Sequence, residues 1–177
     1  SPRRQAMIKS LGKNINIIEM RGNINTRLKK LKNSNIDGII LAKAGLRRME
    51  MDSLITQNLS VESFVPSPGQ GVLCIECLSQ HSEIMSKIKK IVHLNTEICV
   101  SAERIFAAQM DGDCMSPIGA HATIQKDLIS ITGFVATADG TRFIRNKIEG
   151  NKNNYKDLST KLSNLFIKMG SKGMLRC

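Results

Sequence analysis

Val65-Pro66-Ser67-Pro68-Gly69-Gln70-Gly71 divides this sequence into two stretches of different character. Two prolines and two glycines within seven residues suit a crossing between units better than a helix or a strand. Upstream, strand-like and helical runs alternate. Residues 5–11 read as a short helix and Asn16–Met20 as a strand, with a break at Arg21-Gly22-Asn23. A helix from about Asn25 to Lys32 follows. Ile36–Ala42 is an apolar run of buried-strand type, ending at Ala44-Gly45 and a further helical turn. Such alternation predicts an α/β unit. Downstream, Val72–Cys77 reads as a short strand and Ser82–Val92 as an amphipathic helix. Asn95 or Thr96 can cap the next helix, with Glu97 in its first turn and Ile98, Ala102, Ile105 and Phe106 as its buried stripe. Strands are then expected at about Ala120–Gln125, Leu128–Ala136 and Arg142–Ile148, turning at Lys126-Asp127 and Asp139-Gly140. Leu158, Leu162, Leu165, Phe166 and Met169 mark a last amphipathic helix. This stretch predicts an α+β unit, a small antiparallel sheet backed by helices.

Composition bounds the function. The 177 residues, 41% hydrophobic and 23% charged, can bury a real core and suit one or two domains. No apolar run approaches the roughly 18 residues of a membrane span, and the opening residues resemble no signal peptide. Five cysteines at irregular spacing argue against a disulfide framework and fit a reducing cytosol. The chain opens at Ser1-Pro2 without a methionine, so a fragment is expected. A net charge of +11 raises the question of nucleic acid. Against it, aromatics are 3% of the chain, with no tryptophan and one tyrosine, so stacking platforms are nearly absent. Lysines such as Lys29, Lys30, Lys32, Lys87, Lys89 and Lys90 have the spacing of solvated helix faces.

Two groups of residues carry chemistry. Arg3, Arg4, Arg21 and Arg27 fall near junctions of the α/β stretch, where ligands collect at strand ends and helix N-termini. Cys114 lies in Asp111-Gly112-Asp113-Cys114-Met115-Ser116-Pro117, between helix and strand, where a loop can present a thiol to a cleft. Cys74 and Cys77 have CxxC spacing, but on a strand their thiols would point to opposite faces, so chelation is not expected. Cys74, Cys77 and Cys99 are read as structural, His81 and His93 as poorly placed ligands, and His121 as a strand histidine without a catalytic role.

Ser1-Pro2-Arg3-Arg4-Gln5, Arg21-Gly22-Asn23 with Thr26-Arg27-Leu28, and Ile40-Leu41-Ala42-Lys43-Ala44-Gly45-Leu46 occur in that order. Pro68-Gly69-Gln70-Gly71 with Ile75-Glu76-Cys77, Ala102-Glu103-Arg104 and the Cys114 loop complete the series. Together they resemble hydroxymethylbilane synthase, also called porphobilinogen deaminase, over essentially the whole chain.

The resemblance implies the remnant of a periplasmic-binding-protein-like two-domain α/β unit, followed by a small α+β domain with a three-stranded antiparallel sheet. Residues 1–65 would belong to domain 2, lacking its first strand. Residues 66–93 would be the hinge and returning segment of domain 1, and 94–177 the cofactor-attachment domain 3. The implied reaction joins four porphobilinogen molecules head to tail, with loss of ammonia, into linear hydroxymethylbilane for haem and chlorophyll synthesis. The implied cofactor is a dipyrromethane primer held by a thioether on Cys114. By the same resemblance Ser1, Arg3, Arg4, Arg27 and Gly45 contact that cofactor, while Arg21, Arg48 and Gln70 serve substrate. The family's catalytic aspartate and a lysine-containing loop would lie upstream of Ser1, so these residues alone are expected to be inactive. No metal, nucleic acid or membrane is expected. The protein would be a cytoplasmic monomer, or plastidial if a transit peptide precedes it.

Three departures from the family pattern stand out. Pro2 replaces an aliphatic residue, Asp113 stands where glycine is commonest, and Met115-Ser116 replaces Gln-Val. An acid beside the thiol would tend to raise its pKa. The alternatives are a carboxylate-binding module without catalysis and a basic nucleic-acid-binding module.

Overall fold

The computed structural model describes residues 1–12, 14–111 and 115–175. Its only sheet among those residues is an antiparallel meander in the order β1 (Ile118–Gln125), β2 (Leu128–Ala136) and β3 (Phe143–Asn151). Ala120 faces Gly133, Ala122 faces Ile131, and Ile131 in turn faces Ile148. Because strand side chains alternate, this register puts Ala120, Ala122, Ile129, Ile131, Val135 and Ile144 on one face. Helices α5 (Leu94–Gln109), α6 (Tyr155–Lys168) and α7 (Ser171–Leu175) close that face with Ala102, Phe106, Leu158, Leu162, Phe166 and Met174. Phe106 and Phe166 meet edge to face at 4.9 Å. Phe106 lies so close beneath the sheet that a Cβ on Gly133 would come within 2.5 Å of its ring, so only glycine fits there.

The sheet's other face is half covered. Phe134 and Ala136 pack against Val65 and against Ala6 and Met7 of α1 (Pro2–Lys9). The Pro/Gly-rich crossing is therefore bonded to the sheet rather than looping free. Ala120 N–H donates to the Pro66 carbonyl at 3.0 Å, and a Cβ on Gly119 would stand 2.9 Å from the Val65 carbonyl oxygen. A side chain at Gly119 would lift the crossing off β1.

The helices before the crossing are α2 (Ile24–Asn33), capped by the Asn23 side chain accepting from Thr26 N–H, and α3 (Lys43–Arg48). Beyond it lies α4 (Ser82–Lys89), which buries no residue. No helix among the described residues is long and apolar enough to cross a membrane.

Several expectations need correction. The first helix starts at Pro2 instead of residue 5, because proline at the first helical position has its φ preset and needs no N–H partner. Arg3 and Arg4 thus sit on a helical first turn. The cap of α5 is His93, whose Nδ1 accepts from Thr96 N–H at 3.3 Å, and not Asn95 or Thr96. The strands expected at Asn16–Met20, Ile36–Ala42 and Val72–Cys77 run outside helices but join no ladder. Apolar content alone does not make a strand; each needs a neighbour to take its N–H and C=O groups. Ile36–Ala42 is accordingly half-exposed, and Leu73 is 74% exposed.

Candidate functional site

A cleft of about 650 Å³ opens where α1, α2, the crossing and the start of β1 converge. Its lining is Ser1, Arg3 and Arg4 from the start of α1, Met20, Arg27 from α2, Ser67, Pro68 and Gln70 from the crossing, and Ala107, Ser116 and Ile118. Its volume falls within the range of about 300–1,000 Å³ usual for small-molecule sites.

Each arginine is fixed by a backbone carbonyl. Buried Arg3 donates from Nη1 to Val65 at 2.5 Å, Arg4 from Nη1 to Ile40 at 2.9 Å, and Arg27 from Nε to Gly22 at 2.8 Å. Among the described residues, no carboxylate lines the cleft. The cations therefore work against one another. Burial, then the neighbouring Arg4, pulls the Arg3 guanidinium down from the usual arginine range to about 10. Burial, then Arg27, lowers Arg4 in the same sense. Partly desolvated positive charges with no counter-ion among the described lining residues form a receptor for anions. Met20, Pro68, Ala107 and Ile118 add apolar surface between them.

Behind the cleft, Glu103 of α5 is buried and receives two backbone donors. Gly69 N–H reaches Oε2 at 2.6 Å and Ala122 N–H reaches Oε1 at 2.8 Å. His121 Nδ1 stands 3.6 Å from Oε1.

The same arrangement of sequence is found in known proteins. The family pattern described as porphobilinogen deaminase, dipyromethane cofactor binding domain, matches residues 1–86, and that described as porphobilinogen deaminase, C-terminal domain, matches residues 97–168. The chain belongs to the porphobilinogen deaminase family. The porphobilinogen deaminase of Clostridium botulinum (strain Kyoto / Type A2) is 40% identical over 168 residues, covering 95% of this chain and 57% of that protein. That of Coxiella burnetii (strain RSA 493 / Nine Mile phase I) is 36% identical over 176 residues, covering 99% of this chain and 57% of its own length. The chain thus spans little more than half the length of these curated relatives.

Of the residues that resemblance to porphobilinogen deaminases singled out, the structure brings Ser1, Arg3, Arg4, Arg27 and Gln70 to the cleft. Arg21 lies outside its lining, with its side chain 89% exposed and Glu19 3.9 Å away. Arg48 is exposed at the end of α3. Gly45 packs against α2, where a Cβ would come 2.7 Å from Cδ1 of Ile24. Cys114 and Asp113 lie outside the described residues, while Ser116 lines the cleft. Cys74 is exposed, and the Cys99 thiol is raised to about 11 by burial and then by Glu103. Sequence reasoning missed Met20, Ser67 and Ser116 as lining residues. It quoted Glu103 within Ala102-Glu103-Arg104 but gave it no role; an acid inside an apolar helical stripe was the available signal.

Proposed function

We propose that the cleft holds oligopyrrole carboxylates and that the protein carrying these residues is a hydroxymethylbilane synthase, a transferase acting on porphobilinogen. The observation carrying this is the lining itself: three guanidiniums, three serines and a glutamine, with no carboxylate among its described residues. Each pyrrole unit of the substrate bears an acetate and a propionate, so a growing chain accumulates anions. Arginine answers this with a planar fork that pairs carboxylates bidentately and stays charged. Anchoring each guanidinium to a carbonyl of Val65, Ile40 or Gly22 fixes its plane before ligand arrives, which lowers the entropy lost on binding. The first turn of α1 adds a positive helix end to the same wall.

The cationic lining fits the dipyrromethane group of the family domain, and Ser1, Arg3, Arg4 and Arg27 would hold its carboxylates. When bound, that group supplies the pyrrole end on which the chain is extended. We assign its attachment to Cys114 and substrate contact to Gln70, Arg21 and Arg48. Arg21 and Arg48 would act on units extending past the cleft mouth, and Gly45 would keep α3 close to α2 beside it. We further assign residues 1–65 to a second domain, 66–93 to a hinge and returning segment of the first, and 94–177 to a third. The unpaired apolar runs at 16–20, 36–42 and 72–77 would be strands of a periplasmic-binding-protein-like unit, completed by sequence beyond these residues. The catalytic aspartate would come from there too, leaving residues 1–177 inactive alone. The protein would act as a cytoplasmic monomer.

The test is the intact mass of the full-length protein, supplied with porphobilinogen, beside its Cys114→Ala variant. Added mass of two pyrrole units in the first alone is the expected result. No added mass in either folded protein would sink the synthase assignment and leave a carboxylate-binding module.

A further inference from the structure

Glu103 is an expensive residue to bury, since an ionised carboxylate away from water must find strong partners. Its partners here are unusual in their distribution. One oxygen takes the N–H of Gly69, between the cleft-lining Pro68 and Gln70. The other takes the N–H of Ala122 on β1, the strand whose first residue, Ile118, lines the cleft. Glu103 itself rides on α5, one turn before the lining residue Ala107. A single carboxylate therefore ties together the three segments that form one wall. Its polar partners among the described residues, Gly69, Ala122 and His121, include no arginine of the cleft.

We propose that Glu103 is a positioning residue that sets the separation of the Ser67–Gln70 wall from α5 and β1, so that ligand affinity depends on both of its oxygens. A neutral amide at this position has one acceptor oxygen and can serve only one of the two N–H groups. The other side of the amide would present hydrogens to a backbone donor and push it away. The crossing, bonded elsewhere to β1 through the Pro66 carbonyl, would then swing at Gly69, whose φ of +71° already marks a turn of direction. His121 Nδ1, 3.6 Å from Oε1, is too far to replace either bond.

The kinetic arm of the test rests on the synthase assignment; the structural arm does not. Glu103→Gln and Glu103→Leu are made in the full-length protein and studied well below the melting temperature of each. Amide exchange is followed at Gly69, Ala122 and, as a core reference, Ile131. KM for porphobilinogen is measured in parallel. The expected result is exchange at Gly69 at least tenfold faster in Glu103→Gln with Ile131 unchanged, and KM raised at least fivefold, more in Glu103→Leu. Unchanged exchange at Gly69 in a folded variant would overturn the proposal. So would a KM unchanged in both variants. Exchange rising equally at Gly69 and Ile131 would assign Glu103 to global stability alone and also overturn it. If the unaltered protein turns over no porphobilinogen, the synthase assignment fails, and exchange at Gly69 still decides the role of Glu103.

Discussion

Arg3 shows how one side chain can be both structural and receptive. Its folded pKa lies below the ordinary arginine value, at about 10, so folding disfavours its charge. That cost is present in full below about pH 10 and is relieved only as pH rises from there toward the ordinary arginine value. At neutral pH an anionic ligand relieves it instead. Porphobilinogen should therefore raise the melting temperature, and the rise should shrink by at least half in Arg3→Met, as calorimetry with and without ligand would measure. An equal rise in both proteins would remove Arg3 from the site. Cys99 makes the opposite case, a thiol kept inert. With its pKa raised to about 11, almost none is thiolate at pH 8, whereas Cys74 is exposed. Iodoacetamide at pH 8 should label Cys74 at least tenfold faster than Cys99, as peptide mass mapping would show.

Among elements, the hairpin from β2 to β3 depends on a small polar turn. Asp139 accepts from the Thr137 hydroxyl at 2.5 Å and from Thr141 N–H at 3.0 Å. These bonds, Thr137 first, hold its carboxylate at about 2 against an ordinary 3.8. A depressed acid stabilises the fold above its unfolded pKa and loses that contribution as pH falls through the folded one. Stability from this turn should thus fade between about pH 4 and pH 2. Asp139→Asn should flatten that part of a melting-temperature profile, and an unchanged slope would place the acid sensitivity elsewhere. Elements were legible where the pattern was self-sufficient. Leu128–Ala136 alternates from Ile129 to Thr132 and then turns apolar, and β2 has the predicted bounds because its neighbours lie within the same stretch of chain. Ile36–Ala42 has the composition of a buried strand but no partner among the described residues, and composition cannot say whether a partner is near. The cleft arginines were legible as basic residues at junctions, while the carbonyls that aim them, of Val65 and Ile40, are 62 and 36 residues away in sequence.

For the whole molecule, the two stretches on either side of the crossing differ in how much they bury. The large core, from Ala102 through Phe106, Ile131, Leu162 and Phe166 to Met174, draws every member from beyond residue 94. Before that point the buried apolar residues are Ala6, Met7, Leu46 and Val65, and Ala6, Met7 and Val65 are buried against Phe134 and Ala136. Between them, Leu73, Ile75 and Ile91 are 74%, 56% and 70% exposed, a concentration of apolar surface that usually marks contact with further protein. Residues 94–177 should therefore fold without the rest. Expressed alone, they should melt in one cooperative transition, at a lower temperature than the intact chain because Phe134 and Ala136 lose their cover. Residues 1–93 alone should show no cooperative transition and should bind a hydrophobic dye, since little in them can offset the conformational entropy of ordering. In the intact chain, brief proteolysis should cut within 72–93 before it cuts anywhere in 94–175. No cooperative melt from 94–177 would mean that the crossing joins one indivisible unit. A cooperative melt from residues 1–93 would mean that the arginine wall owes its order to packing within its own stretch rather than to the sheet beneath it.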